Sequence, residues 1–178
     1  GNAVRVGVRL EIRGWKPLEA NVREWSVMID PWARLKVSCL AGVEIFHTDA
    51  ENAGFDVLDF WRWSTSDLVS NATRGVIAEY IVAKALDVPT DTPRVEWAAY
   101  DLRTPTGLSI EVKSAAYVQT WGQTKPSNIK FSIQEGFGWD PETNVTQSMR
   151  SRSADVYVFA LLFHRDKSTV DPLSLSQW

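Results

Sequence analysis

Three residues whose types could do chemistry together stand within thirteen positions of one another: Asp101, Glu111 and Lys113. Two neighbouring carboxylates suit a hard divalent cation such as Mg2+, which is usually held by one or two carboxylates together with water and substrate phosphate. A lysine beside two acids is favoured in its charged form and can stabilise negative charge building on a substrate. A fourth acid, Glu79, falls on the apolar stripe of a predicted helix, where an unpaired charge would be costly. Other chemistries lack material. The chain has a single cysteine and two widely separated histidines, His47 and His164. That excludes an internal disulfide and a multi-cysteine metal site, and leaves a histidine-built metal site or a Ser-His-Asp triad almost no material. Catalysis must rest on carboxylates and lysine.

The elements that would position these residues can be read from turn chemistry. Thr104-Pro105-Thr106-Gly107 suits a type I turn with Pro at its second position and Gly in the left-handed conformation, a common hairpin loop with a bulge. Thr104 then faces Leu108, and the ladder continues to place Asp101 opposite Glu111. Paired residues on one face have Cβ atoms about 5 Å apart. In the strand 108 to 114, Leu108, Ile110 and Val112 take one face, while Ser109, Glu111 and Lys113 take the other. Acids facing each other across a hairpin repel, so the pair calls for a cation. The plain alternative is a solvated ion-pair cluster that contributes little to stability. Upstream, Ser66 to Val88 has a helical period with Ala72, Val76, Ala83 and Leu86 on one stripe that Glu79 completes. Asp87-Val88-Pro89 ends it. For Glu79 the alternative is a place at the stripe's edge, reaching solvent or Arg74.

Val4 to Arg13 alternates apolar and polar residues without a break and is predicted to be a half-buried strand. Shorter strand-like runs at 22–29, 35–40 and 43–46 make residues 1–60 a β-rich N-terminal extension. Further strands are expected at Val95 to Arg103 and at Ser127 to Gln134. Asp140-Pro141-Glu142 has the chemistry of a helix start, with a short helix to about Ser151. Val156 to Phe163 is continuously apolar and reads as a strand buried on both faces. The 178 residues, 44% apolar and 23% charged, are ordinary for one globular domain with an appendage. No apolar run could span a bilayer and no signal sequence is evident, so a soluble, cytoplasmic protein is expected. A net charge of -3 argues against gripping nucleic acid through a broad basic field but not against local binding.

The order of the elements, with Glu79 on a helix, Tyr100-Asp101, Glu111-Val112-Lys113 after a hairpin, and a later buried strand, resembles the restriction-endonuclease-like PD-(D/E)xK nuclease superfamily. The resemblance covers about residues 61–164, with Tyr100 where the usual proline would precede the first acid. Trp61-Arg62-Trp63 through Gln123 is also similar to an uncharacterised bacterial branch of that superfamily. The resemblance implies an α/β fold with an αβββαβ core and a mixed central sheet over residues 61–178. It implies a metal-dependent nuclease that hydrolyses DNA phosphodiester bonds as an endonuclease or resolvase-like enzyme in restriction, repair or defence, RNA remaining open as a substrate. Asp101, Glu111 and the Val112 carbonyl would hold Mg2+, with Mn2+ as a substitute. Glu79 would ligate a second ion or orient water, and Lys113 would stabilise charge. Gln119, Gln123, Arg150 and Arg152 are candidates for contacts to nucleic acid. A second reading is a nuclease-fold module that binds nucleic acid or a protein partner without cutting. The alternating pattern at Leu173 to Trp178 suggests another strand, a chain that continues beyond this point, and Trp178 at a sheet edge that a homodimer could cover.

Overall fold

The computed structural model describes residues 33–140 and 142–178. The strands expected at Val4 to Arg13 and at 22–29 lie outside the described residues. Residues 35–178 form one compact α/β unit. A hairpin of β1 (Ile45–His47) and β2 (Asn52–Asp56) leads into α1 (Val57–Thr65). Residues 35–40, expected as strand, form none. Asp56 starts α1 through a capping box: its carboxylate accepts from the Asp59 N–H at 2.9 Å, and the Asp59 carboxylate accepts from the Asp56 N–H. Each side chain satisfies a backbone donor that the first helical turn leaves without a partner.

The second helix, α2 (Asn71–Ala85), begins at Ser70, whose hydroxyl accepts from the Thr73 N–H, and ends where Asp87 turns left-handed at φ 53°. The Val88 N–H then reaches back to the Ala83 carbonyl at 2.9 Å. Its buried positions are Arg74, Ala78, Val82 and Ala83. The expected stripe is therefore corrected: Val76, Leu86 and Ala72 are exposed. Small Ala78 lets the helix approach the sheet, while Arg74 is buried in polar company.

Against α2 lies a sheet ordered β3 (Leu102–Arg103), β4 (Ser109–Ala116), β7 (Val156–Leu162). The β3–β4 pairs Leu102↔Ile110 and Arg103↔Ser109 continue the register in which Thr104 faces Leu108. Gly107 sits at φ 94°, and its N–H bonds the Thr104 carbonyl at 2.9 Å. The expected strand from Val95 is reduced to Leu102–Arg103, because Trp97 turns left-handed at φ 67° and breaks the extended run. On its other edge β4 pairs with β7 in parallel, Glu111 beside Tyr157 and Lys113 beside Phe159. Asp155 pins the start of that pair: its carboxylate accepts from both the N–H and the hydroxyl of Ser109, at 2.9 and 2.7 Å. Those bonds hold the carboxyl below the usual carboxylate range. Ala78, Val82, Ile110 and Val112 form the core, with Leu102, Val158, Ala160 and Trp178 packed on it.

Four further expectations change. Residues 127–134 belong to no strand, although Ser127, Ile129 and Phe131 are less exposed than the residues between them. Asp140 to Ser151 is not a helix: β5 (Gly136–Asp140) and β6 (Val145–Ser151) make an antiparallel hairpin. The Asp140 carboxylate, which could have capped a helix, accepts from the Glu142 N–H and the Thr143 hydroxyl instead, and Asn144 turns left-handed at φ 56°. An Asx turn and a helix cap use the same side chain, and β-branched Val145 and Thr146 favour the strand. Finally, β7 is not buried on both faces, since Val156 and Phe159 are exposed. Leu175–Gln177 is a 3-10 turn in place of a strand. It folds back so that the Phe163 N–H bonds the Gln177 carbonyl, and Trp178 reaches the core with its indole N–H on the Pro172 carbonyl.

Candidate active site

The hairpin brings Asp101, Glu111 and Lys113 to one cleft of about 550 Å³. Leu102 pairs with Ile110, yet the Asp101 N–H also donates to the Ile110 carbonyl, so the chain is displaced at the end of β3. This turns the Asp101 carboxylate onto the β4 backbone, where it accepts from the Val112 N–H at 2.6 Å. Glu111 and Lys113 alternate with core residues Ile110 and Val112 and so face away from α2. The Lys113 ammonium donates to a Glu111 carboxylate oxygen.

Burial pushes the Asp101 carboxyl up to about 6, and the nearby charges of Glu111 and Glu79 add to the rise. The Val112 N–H and Lys113 work against it. Desolvation first, and repulsion from the neighbouring acids second, favour neutral Asp101.

Glu79 approaches the acids closely enough to affect Asp101, and its side chain is only 14% exposed. Both of its oxygens are engaged by Arg94, at 2.8 and 3.0 Å. Its ion partner is thus Arg94, from the loop after α2, and not Arg74. No sequence signal marked Arg94, because the loop that brings it to Glu79 has no periodicity.

The four residues considered for nucleic acid do not share one surface. Gln119 is buried: it accepts from Arg74 and donates to the Ala116 carbonyl and the Ser127 hydroxyl. Gln123 closes the same turn by accepting from the Gln119 N–H and donating to the Tyr117 carbonyl. Neither lines the cleft. Arg150, on β6, lies over the Phe137 ring at 5.2 Å, and Arg152 donates to the carbonyl of Ile133, a cleft residue.

Arg74 is the larger omission. Its guanidinium, 3% exposed, bonds Ser114 Oγ, the Val69 carbonyl, Gln119 Oε1 and Asn71 Oδ1, all neutral acceptors. Desolvation lowers its pKa from the usual arginine value. It ties the start of α2 to the strand that carries Glu111 and Lys113.

The family described as bacteriophage T4 endonuclease IV matches residues 48–178, nearly three quarters of the chain and the whole of the candidate site. The chain belongs to that family. Membership makes this a nuclease family of the endonuclease kind, as the acids and lysine suggested. No curated protein and no solved structure matches the chain. Among the described residues no helix is long and apolar enough to cross a membrane.

Among those same residues no three His, Cys, Asp or Glu side chains converge to form a metal site by themselves. A Mg2+ ion does not need three, because one or two carboxylates with water and substrate oxygens suffice. Asp101 and Glu111 supply two hard oxygen donors, and a cation would offset the burial and carboxylate repulsion that raise Asp101. The donor set therefore fits a magnesium-like ion.

Proposed function

We propose that the chain is a metal-dependent endonuclease that hydrolyses DNA phosphodiester bonds through a PD-(D/E)xK-type site, with residues 61–178 as the nuclease core. The observation that carries this reading is the Asp101 carboxylate, half-buried on the Val112 N–H beside Glu111 and Lys113 in an open cleft. Family membership supports the endonuclease class. The order α2, β3, β4, β7, with β7 parallel to β4, supports the restriction-endonuclease-like core.

Asp101, Glu111 and the Val112 carbonyl would hold Mg2+, or Mn2+ in its place. When bound, such an ion supplies Lewis acidity at the phosphoryl oxygens and makes water a better nucleophile at neutral pH. The Val112 N–H fixes which way Asp101 points. Lys113, held by Glu111, keeps its ammonium beside the reacting phosphate and stabilises charge there. Glu79 adds negative charge at the edge of the site, and to ligate a second ion or orient water it must release Arg94.

Incubation of the protein with DNA and Mg2+ or Mn2+ tests the reading. Cleavage is expected and EDTA should stop it. Asp101→Ala and Lys113→Ala should each lower the rate by on the order of a hundredfold or more. Undiminished cutting by Asp101→Ala would place the chemistry elsewhere. The closed pairs Glu79–Arg94 and Lys113–Glu111 favour a second reading, a module that binds without cutting. DNA retention with no cleavage in any divalent ion would select it.

A further inference from the structure

The cleft has two unlike walls. On the sheet side the polar groups contributed by β4 and the residue before β3 are already engaged: Asp101 by Val112, Glu111 and Lys113 by each other, and Ser114 by Arg74. Facing them is the extended segment 130–134, anchored over the sheet by Phe131 against Phe159, ring centroids 4.7 Å apart, and by Arg152 on the Ile133 carbonyl. From this segment Lys130, Ser132 and Gln134 line the cleft, and Tyr157 joins them from β7, beside Glu111 in the parallel register. None of these four side chains makes a hydrogen bond or ion pair within the described residues.

These groups can all donate hydrogen bonds. Lysine can only donate, and the tyrosine hydroxyl carries one O–H donor. Of the two lysines lining the cleft, Lys113 is paired with Glu111, and Lys130 is the one with no protein partner among the described residues. Two acids alone would repel a polyanion from the cleft. Lys130 restores the balance of charge on the wall that has no acids.

We propose that Lys130 and Tyr157 bind the backbone of the nucleic-acid substrate, Lys130 by an ionic contact to a phosphate and Tyr157 by donating its hydroxyl to a phosphate oxygen. The ligand class is a phosphodiester chain, and the assignment rests on the nuclease reading above. Gln119 and Gln123 are consumed within the fold, so the contact surface is this second wall. Lys130 lies in the run 127–134 expected as a strand, but nothing in the sequence aimed it at the acids.

The test measures binding of a fluorescein-labelled DNA oligonucleotide to the full chain by anisotropy, with Ca2+ in place of Mg2+, over a series of KCl concentrations. Lys130→Ala should weaken binding roughly threefold to tenfold. It should also make the slope of log affinity against log salt shallower by about 0.7 to 0.9, the loss of one phosphate contact. Lys130→Arg should restore the slope, and a purely structural lysine would leave it unchanged in every variant. A methylphosphonate at the contacted linkage should abolish the difference between wild type and Lys130→Ala. Tyr157→Phe, which removes one hydroxyl, should keep the slope and lower the cleavage rate about tenfold to a hundredfold. If wild type binds but Lys130→Ala and a second variant, Lys130→Gln, keep its slope, the Lys130 assignment is overturned. If Tyr157→Phe cuts at the wild-type rate, the Tyr157 assignment falls. A wild-type protein that neither binds nor cuts DNA would overturn the nuclease reading itself and this assignment with it.

Discussion

Strand β4 and strand β6 both belong to antiparallel hairpins, and they are held in opposite ways. The core side of β4 is covered by α2, its two edges are paired with β3 and β7, and Ile110, Val112 and Ala116 are buried. Every residue of β6 is exposed, and among the described strands its only partner is β5. Packing on one face and ladders on both edges fix where Glu111 and Lys113 point. The β5–β6 pair has only its own ladder, and an isolated two-stranded hairpin is marginally stable at best. Reactive groups that need fixed geometry belong on the first kind of strand.

Truncation breaks this contrast most directly. Leu162→Ala, at a fully buried position of β7, should cost about 2–5 kcal/mol in urea unfolding. Met149→Ala on β6, where the side chain is 76% exposed, should stay within about 0.5 kcal/mol. Equal losses at the two positions would show that the hairpin is buried in solution.

The next effect concerns the energy stored at the β3–β4 junction. Asp101 has a folded-state value raised from 3.8 to about 6. The folded chain therefore binds this proton more tightly than the unfolded chain. Stability from this source is complete below the unfolded value and is lost as pH rises through about 6. In EDTA, Asp101→Asn should be more stable than wild type above about pH 7, by on the order of 1–3 kcal/mol. The difference should close below about pH 4. Thermal melts across that range check it, and a pH-independent difference would contradict the assignment of strain to this carboxyl.

The smallest effect sharpens the other side. Arg150→Ala removes a cation from over Phe137, worth about 0.5–1 kcal/mol at an exposed site. Hydrogen exchange should quicken in β5 and β6 and leave β4 unchanged. A change in β4 would mean that the hairpin and the site sheet open together.

How much of this was legible follows the locality of the signal. The register of β3–β4 could be read because Thr104-Pro105-Thr106-Gly107 fixes it within four residues. The existence of α2 was legible from its period. Its buried stripe was not, because hydrophobicity favours Val76 and Leu86, whereas packing selected Ala78 and buried Arg74 among neutral acceptors. Asp140 supported two local structures, and the β-branched residues downstream decided between them. Arg94 beside Glu79, and Lys130 and Tyr157 around the acids, depend on contacts between segments far apart in the chain, for which the sequence holds no period or turn. The endonuclease class came through the family resemblance carried by the acids, the lysine and the order of the elements around them.

The parallel pairing of β4 with β7 also sets a schedule. Residues 117–155 separate the two strands, so β4 acquires its second edge only after that whole stretch has been made. Distant pairings of this kind form late in folding, because the chain must lose loop freedom before the contact rewards it. During synthesis Asp101, Glu111 and Lys113 emerge well before Asp155 can clamp Ser109 and before Tyr157 exists beside Glu111. A ribosome-bound chain thus carries Asp101, Glu111 and Lys113 in an unfinished sheet. The cleft is assembled only once β7 has paired with β4.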